Sequence, residues 1–179
     1  MNMNKAVGKQ IQGFTLIEIM VVLSIAVIIT TVGIPSVMST IASNRVSTAG
    51  NNLVTALNLA KSEAIRTNRS TVLCKSPDGK TCKDSAAWAE GWILFYDLNT
   101  NEQVDDGERI IRIQDPPHES LNFTFKTGDF IRFSPNGRNN HNGRFCFRNS
   151  FDEARSKAVI ITQVGRIRTE YQATSICES

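Results

Sequence analysis

Residues 13–23 read GFTLIEIMVVL and open the one strongly apolar block of this 179-residue chain. The block extends over residues 14–37, which as a helix would be about 36 Å long, enough to cross the hydrocarbon core of a bilayer. Residues 1–13 before it are polar, with Lys5 and Lys9 and no acidic residue. Positive charge is retained on the cytoplasmic side of a membrane. The sequence therefore predicts a cytoplasmic leader, 1–13, followed by a membrane-spanning segment, 14–37.

Glu18 is the one charged residue inside this apolar block. A carboxylate is costly in lipid and usually has a partner there. If the chain is cleaved after Gly13, the new amine of Phe14 can pair with Glu18 of a neighbouring subunit during assembly. The alternative is a carboxylate that simply lies at the membrane interface.

The helical pattern continues past the apolar block and becomes one-sided. Polar residues such as Asn51, Asn58 and Lys61 lie on the face opposite to an apolar stripe at roughly helical spacing. The stripe comprises Ile41, Val46, Ala49, Leu53, Leu57, Ala60 and Ala64. Segment 38–68 is therefore predicted to be an amphipathic helix that packs under a globular head and ends near Thr67-Asn68.

After residue 69 the pattern changes to short β-type runs separated by turns. In one of them Leu121, Phe123 and Phe125 alternate with polar residues, as in a half-buried strand. Strands are predicted at residues 70–74, 91–96, 109–113, 121–125, 130–133, 144–148, 157–163 and 166–172. Short strands joined by turns favour an antiparallel sheet packed on the helix, so residues 69–179 are predicted to be the head of an α+β fold.

The four cysteines, Cys74, Cys82, Cys146 and Cys177, allow three pairings. An even number of cysteines in an exported domain favours disulfides. Cys74 and Cys82 flank a Pro-Asp-Gly turn signal that brings them together. We therefore predict the pairs Cys74–Cys82 and Cys146–Cys177. A zinc site is the alternative, although the spacings lack the close pairs of ligands that zinc usually takes.

The stretch Gly13-Phe14-Thr15-Leu16-Ile17-Glu18 resembles the processing motif of class III signal peptides in type IV pilins and pseudopilins. The resemblance implies that prepilin peptidase cleaves between Gly13 and Phe14 and methylates the amine of Phe14. By the same resemblance, Glu18 corresponds to the glutamate used in assembly, and Pro35 to the proline that breaks the N-terminal helix.

The head resembles one branch of this superfamily, the FimT/GspH-type minor pilins and pseudopilins. The resemblance is carried by residues 60–66 running into 72–74, by 91–92 with Phe95 and Asp97, and by 106–108 and 133–138. It implies the type IV pilin fold, in which a long N-terminal helix packs against an antiparallel β-sheet head stapled by disulfides.

Basic residues are concentrated in the C-terminal part of the chain. Residues 121–179 carry nine Lys or Arg against five Asp or Glu, whereas residues 67–120 carry six against ten. Within this part, Gly165-Arg166-Ile167-Arg168 follows a turn signal, and in a strand its two arginines project to one face about 7 Å apart. Two guanidiniums so placed can bind neighbouring phosphates.

The same four residues are similar to the Gly-Arg-x-Arg DNA-binding motif of FimT-type minor pilins used in natural transformation. The resemblance implies a DNA-binding role for Gly165, Arg166 and Arg168. Charge alone adds five further candidates, Arg138, Arg144, Arg148, Arg155 and Lys157. The alternative for this segment is a charged strand edge that discourages aggregation.

Together these features predict a minor pilin that is held in the inner membrane and then enters an extracellular type IV pilus among other pilin subunits. There it is predicted to bind double-stranded DNA for uptake, without sequence preference. A minor pilin that primes pilus assembly without binding DNA, and a minor pseudopilin of type II secretion, remain open alternatives. The sequence has no enzyme or cofactor signature. The loop from Asp97 to Glu108 shares features with calcium loops, but Glu102 stands where such a loop needs glycine, which favours a polar hairpin loop without metal.

Overall fold

The computed structural model describes residues 13–150 and 156–171, together with Ser175 and Cys177. Most of the predicted leader therefore lies outside the described residues, as does Arg155. The chain forms two compact units that meet between Met38 and Ser39.

The N-terminal unit is helical from Leu16 onward. Helix α1 spans Leu16–Ile28, a π-helical turn spans Ile29–Gly33, and helix α2 spans Ile34–Thr67. Thr15 caps α1, because its side-chain oxygen accepts a hydrogen bond from the Glu18 N–H at 3.3 Å. No residue of α1 is buried. This helical stretch includes a segment long and apolar enough to cross a membrane, by length and composition.

The helix is not interrupted at Pro35, where the sequence predicts a break. Pro35 is the second residue of α2, and the π-helical turn directly precedes it. In this turn the Ile34 N–H donates to the Ile29 carbonyl, five residues back instead of four. Because proline has no N–H to donate, one bond of the regular helical series is missing here, and the wider turn lies next to that gap.

Helix α2 ends where the sequence predicts. Asn68 follows it with φ of +54°, a left-handed conformation that asparagine tolerates better than most residues. The Arg69 N–H then donates to the Ala64 carbonyl at 3.3 Å, which closes the last turn. The chain leaves the helix directly into the first strand.

In the described part of the head, eight antiparallel strands follow, one at each predicted segment. They are β1 (Ser70–Lys75), β2 (Trp92–Asp97), β3 (Ile110–Gln114), β4 (Leu121–Phe125), β5 (Phe130–Phe133), β6 (Gly143–Asn149), β7 (Lys157–Ile161) and β8 (Ile167–Tyr171). The α+β class is confirmed. The strands divide between two sheets, ordered β3-β2-β1-β5 and β4-β6-β7-β8, whereas the sequence predicts one sheet. We call the second of these the C-terminal sheet.

The head core is formed by the apolar stripe of α2 and the inner faces of both sheets. Leu57 and Ala60 of α2 are fully buried in the same cluster as Phe145 and Phe133. Trp88 meets Phe145 edge to face at 5.1 Å between ring centroids, a geometry worth about 1 kcal/mol beyond the buried area. The core therefore holds the helix and the C-terminal sheet in a fixed relation, which positions the hairpin described next.

Both disulfides, Cys74–Cys82 and Cys146–Cys177, are present. The first closes a short loop on β1. The second fastens Cys177, near the end of the chain, to β6 in the C-terminal sheet.

Candidate nucleic-acid interface

The Gly-Arg-x-Arg segment lies on the hairpin that joins β7 to β8. The turn closes when the Gly165 N–H donates to the Thr162 carbonyl at 2.7 Å, and the Thr162 N–H donates to the Arg166 carbonyl at 3.0 Å. Arg166 and Arg168 are both exposed, and Ile167 between them points to the core cluster. Arg168 lies on β8 and Arg166 directly precedes it, whereas the sequence predicts both arginines within the strand.

Gly165 has a structural reason to be glycine. Its φ is +72°, and a side chain there would collide with the carbonyl oxygen of Gly137, whose own φ is +75°. The Lys61 ammonium of α2 donates to the Gly165 carbonyl at 2.9 Å. The two backbones can approach this closely because Gly165 carries no Cβ on the contacting side. We call this contact of Gly137, Gly165 and Lys61 the glycine junction.

The glycine junction brings a third arginine toward the hairpin. Arg138 directly follows Gly137, as Arg166 follows Gly165, and both arginines are exposed. Asn139 reinforces the contact, because its N–H donates to the Gln163 carbonyl at 3.0 Å and its Nδ2 donates to the Thr162 carbonyl at 2.7 Å. Arg138 and Arg166 therefore flank one rigid backbone contact, although they are far apart in sequence.

Strand register places Arg168 in line with other cations across the C-terminal sheet. Arg168 is opposite Ile160 on β7, and Ile160 is opposite Arg144 on β6. The Lys126 N–H, just past β4, donates to the Arg144 carbonyl at 3.3 Å. Residues opposite one another share a face of the sheet, and this face is the one away from buried Phe145. We call Lys126, Arg144 and Arg168 the basic row.

Lys126 is a residue that sequence reasoning missed. It lies outside the motif and outside the residues singled out by charge, and only the β4–β6 pairing brings it beside Arg144. It is exposed, and it lines one shallow groove with Arg144, Arg168 and Glu170.

Lys157 is wrongly predicted as a phosphate contact. It is fully buried, and its Nζ donates to Asn51 Oδ1 at 2.7 Å and to the Tyr171 hydroxyl at 3.2 Å. The ammonium also lies 4.7 Å from the centroid of the Tyr171 ring. Lys157 is opposite Phe147 in the register, so it faces the core side of the sheet. Its charge ties α2 to β8 and is not presented to solvent.

Arg148 is half-buried and lies on the outer face, four residues along β6 from Arg144. That separation is about 14 Å along a strand. Cys146 and its disulfide to Cys177 lie between them. Arg148 therefore belongs to the same face but is separated from the basic row.

One acidic residue adjoins the basic row. Glu170 lies two residues beyond Arg168 on β8, and its Oε1 is 3.6 Å from Arg168 Nη2. An ion pair at this exposure is worth at most about 1 kcal/mol, so a phosphate can displace Glu170 and bind Arg168.

The loop from Asp97 to Glu108 uses its carboxylates to hold its own backbone. Asp97 accepts from the Asn101 and Glu102 N–H groups at 3.2 and 3.3 Å, and Glu108 accepts from the Leu98 N–H at 2.7 Å. Within the described ranges, no group of three or more His, Cys, Asp or Glu side chains is placed to hold a metal ion.

In the N-terminal unit, Gly13, Phe14 and Glu18 are all exposed. Phe14 has 77% of its surface accessible, and Glu18 lies in the first turn of α1. These residues are thus open to contact with another molecule.

Comparison with known proteins places these features in a family. A family model described as Type II transport protein GspH matches residues 49–165, and one described as a prokaryotic N-terminal methylation motif matches residues 8–34. No curated protein sequence matches the chain significantly.

Three solved structures share the fold. The type IV minor pilin FimU of Pseudomonas aeruginosa matches with a TM-score of 0.58 at 20% identity, over 73% of this chain and 91% of that chain. A second crystal form of FimU matches with a TM-score of 0.54 at 21% identity, over 71% and 94%. The minor pseudopilin EpsH of the Vibrio cholerae type 2 secretion system matches with a TM-score of 0.52 at 12% identity, over 71% and 97%. Because the GspH model covers more than half of the sequence and the methylation motif covers its apolar start, this chain belongs to the GspH family, among the FimT/GspH-type minor pilins of the type IV pilin superfamily.

Proposed function

We propose that this chain is a minor subunit of a type IV pilus and that its head binds the DNA backbone for uptake. The observation that carries the proposal is the Arg166–Arg168 pair, exposed on one side of a hairpin that the glycine junction holds rigid. A rigid support matters because bidentate contacts between arginine and phosphate require fixed guanidinium positions.

The N-terminal unit supports the assembly part of this function. The described side chains of residues 13–38 are all exposed, and most are apolar, so they need lipid or other apolar helices around them. We propose that processing at Gly13 frees the amine of Phe14, that this amine pairs with Glu18 of a neighbouring pilin, and that the pair draws the helix from the inner membrane into a fibre. A prepilin peptidase and other pilin subunits are its implied partners.

The DNA part of the function is electrostatic. Arg138, Arg166 and Arg168 present guanidiniums that can grip phosphates without reading bases. Binding of this kind is independent of sequence and weakens steeply with salt, because each neutralised phosphate releases counterions.

A binding titration of the full chain in neutral-detergent micelles tests the DNA part. We expect the double change R166Q/R168Q to weaken binding to a random-sequence duplex and to reduce the slope of log K against log salt by about 2. The matched control is K80Q/K83Q, which removes the same charge from exposed lysines in and beside the Cys74–Cys82 loop. Equal affinities of the two double variants, or no binding by the wild-type chain at low salt, would refute DNA binding.

The second candidate function is that of a minor pseudopilin in type II secretion, favoured by the description of the family model and by the match to EpsH. It predicts that R166Q/R168Q leaves the biological role intact. In the source organism, an R166Q/R168Q strain that forms normal fibres but is no longer transformed by DNA would support the pilus function. A strain that lacks the chain, no longer secretes protein and is still transformed would support the secretion function.

A further inference from the structure

We infer that the DNA-binding surface extends across the solvent face of the C-terminal sheet and takes a duplex along the basic row, with Lys126 as its far contact and Glu170 as a restraint on affinity. This inference rests on the proposed function and extends its site from the hairpin to the opposite edge of the C-terminal sheet, on the same face. The carrying observation is the register that aligns Lys126, Arg144 and Arg168.

The dimensions of the basic row suit a duplex. Neighbouring strands are about 4.8 Å apart, so Arg144 lies about 10 Å from Arg168, and Lys126 lies about 14 Å from Arg168 across three strand intervals. The major groove of B-DNA is about 12 Å wide. Cations at the two ends of the basic row can therefore reach phosphates of both strands.

The composition of the same face also favours a duplex. The outward positions of its described strands carry Asn122, Thr124, Arg144, Cys146, Arg148, Ala158, Ile160, Arg168 and Glu170, none of them aromatic. Tyr171, at the end of β8, lies on the other face and bonds to Lys157. Proteins that prefer single strands stack bases on aromatic side chains. Without such a platform, attraction follows backbone charge density, which is higher in a duplex.

Glu170 limits how strongly this face binds. Its carboxylate holds Arg168 at 3.6 Å and lies on the same face, so an approaching phosphate must displace it and is repelled by it. Replacing Glu170 by glutamine removes both effects while keeping the size of the side chain. A single substitution that strengthens binding is a sharper test than a loss, because a folding defect cannot produce it.

The experiment compares K126Q and E170Q of the full chain in neutral-detergent micelles, using fluorescence anisotropy. The probes are a labelled 30-base-pair random-sequence duplex and one of its strands alone. We expect K126Q to weaken duplex binding about fivefold and to reduce the salt slope by about 1, and E170Q to strengthen it by up to about fivefold. The wild-type chain should bind the duplex more tightly than the single strand.

The control K80Q removes one exposed lysine from the Cys74–Cys82 loop and should leave affinity almost unchanged. The inference is overturned if K126Q behaves like K80Q, if E170Q fails to strengthen binding, or if the single strand binds better. Loss of binding in R166Q/R168Q together with a neutral K126Q would overturn the inference and leave the proposed function standing. No DNA binding by the wild-type chain would overturn both.

Discussion

Gly165 combines two constraints, a left-handed backbone and a contact with the Gly137 carbonyl that leaves no room for a methyl group. Gly107 meets only the first constraint, because its φ is +90° and no atom lies within 4 Å of where a Cβ would be. Comparing substitutions at Gly165 and Gly107 therefore separates the cost of backbone strain from the cost of a clash with the Gly137 carbonyl. The glycine places Arg166 and Arg168 by letting the hairpin reach the loop at Gly137.

We predict that G165A lowers the free energy of unfolding by about 2–4 kcal/mol, the sum of backbone strain and overpacking. G107A, with strain alone, should cost about 1 kcal/mol. Urea denaturation of both variants measures the difference. Equal losses in the two variants would show that the glycine junction does not constrain Gly165.

Asp78 makes the free energy of unfolding depend on pH in the acidic range. Its carboxylate accepts hydrogen bonds from the Thr81 and Lys80 N–H groups at 2.9 Å each and from the Thr81 hydroxyl at 2.7 Å. These bonds, led by the Thr81 N–H, hold the pKa of Asp78 below its ordinary value of 3.8. The ionised form is thus stabilised in the folded state, and its contribution is complete above pH 4 and is lost as the pH falls below it.

We predict that D78N is less stable than the wild-type chain at pH 6 and that this gap in the free energy of unfolding narrows as the pH falls below 4. Denaturation curves at several pH values, recorded at constant ionic strength, test this. A gap that stays constant down to pH 2 would show that the charge of Asp78 contributes nothing.

At the scale of elements, the two faces of the C-terminal sheet have different roles. Lys157 and Lys126 are both lysines of this region, yet one is buried under α2 and the other is exposed beside Arg144. The stem of Lys157 packs against Gly50, where an added Cβ would lie 2.6 Å from its Cδ. The inner face thus uses a lysine to join helix and sheet, while the outer face presents its cations toward solvent.

We predict that K157A lowers the free energy of unfolding by about 2–4 kcal/mol, since it removes a buried stem and leaves the polar partners of its ammonium unpaired. The matched change K126A should alter stability by less than about 0.5 kcal/mol and weaken DNA binding instead. Denaturation and anisotropy on the same samples measure both effects. If K157A is as stable as the wild-type chain but binds DNA more weakly, Lys157 would have to be counted as a DNA contact.

At the scale of the whole molecule, the chain consists of a globular unit with its own core and an N-terminal unit whose described side chains are unburied. The exposed apolar side chains described in the N-terminal unit need lipid or other apolar surfaces around them. Glu18 is the one charged residue of the apolar block 14–37, and a carboxylate inside a membrane is costly unless it is neutralised.

We predict that E18Q inserts into the membrane as well as the wild-type chain but is depleted from assembled fibres. The neutral glutamine removes the attraction to the free amine of the next subunit without adding an insertion cost. Comparing the amounts of chain in the membrane fraction and in sheared fibres tests this. Equal incorporation of E18Q and wild type would refute the ion-pair mechanism.

Much of the element structure follows from local sequence patterns. The alternation in residues 121–125 predicts β4, and the change of pattern at Thr67-Asn68 predicts the end of α2, because helix and strand periodicities depend on neighbouring residues. The Pro-Asp-Gly turn likewise predicts the closure of Cys74 with Cys82. The Gly-Arg-x-Arg motif is also local, so the exposure of its arginines on a hairpin is predictable.

Tertiary structure alone decides which distant residues share a face. The charge of Lys157 suggests a surface residue, but its place opposite Phe147 turns it inward, and Lys126 joins Arg144 only through the pairing of β4 with β6. The contact between Gly137 and Gly165 joins two turns that no local pattern connects. Strand register is a long-range property, and a shift of one residue reverses the face of every side chain, so composition and spacing specify the elements but not the surface that they form together.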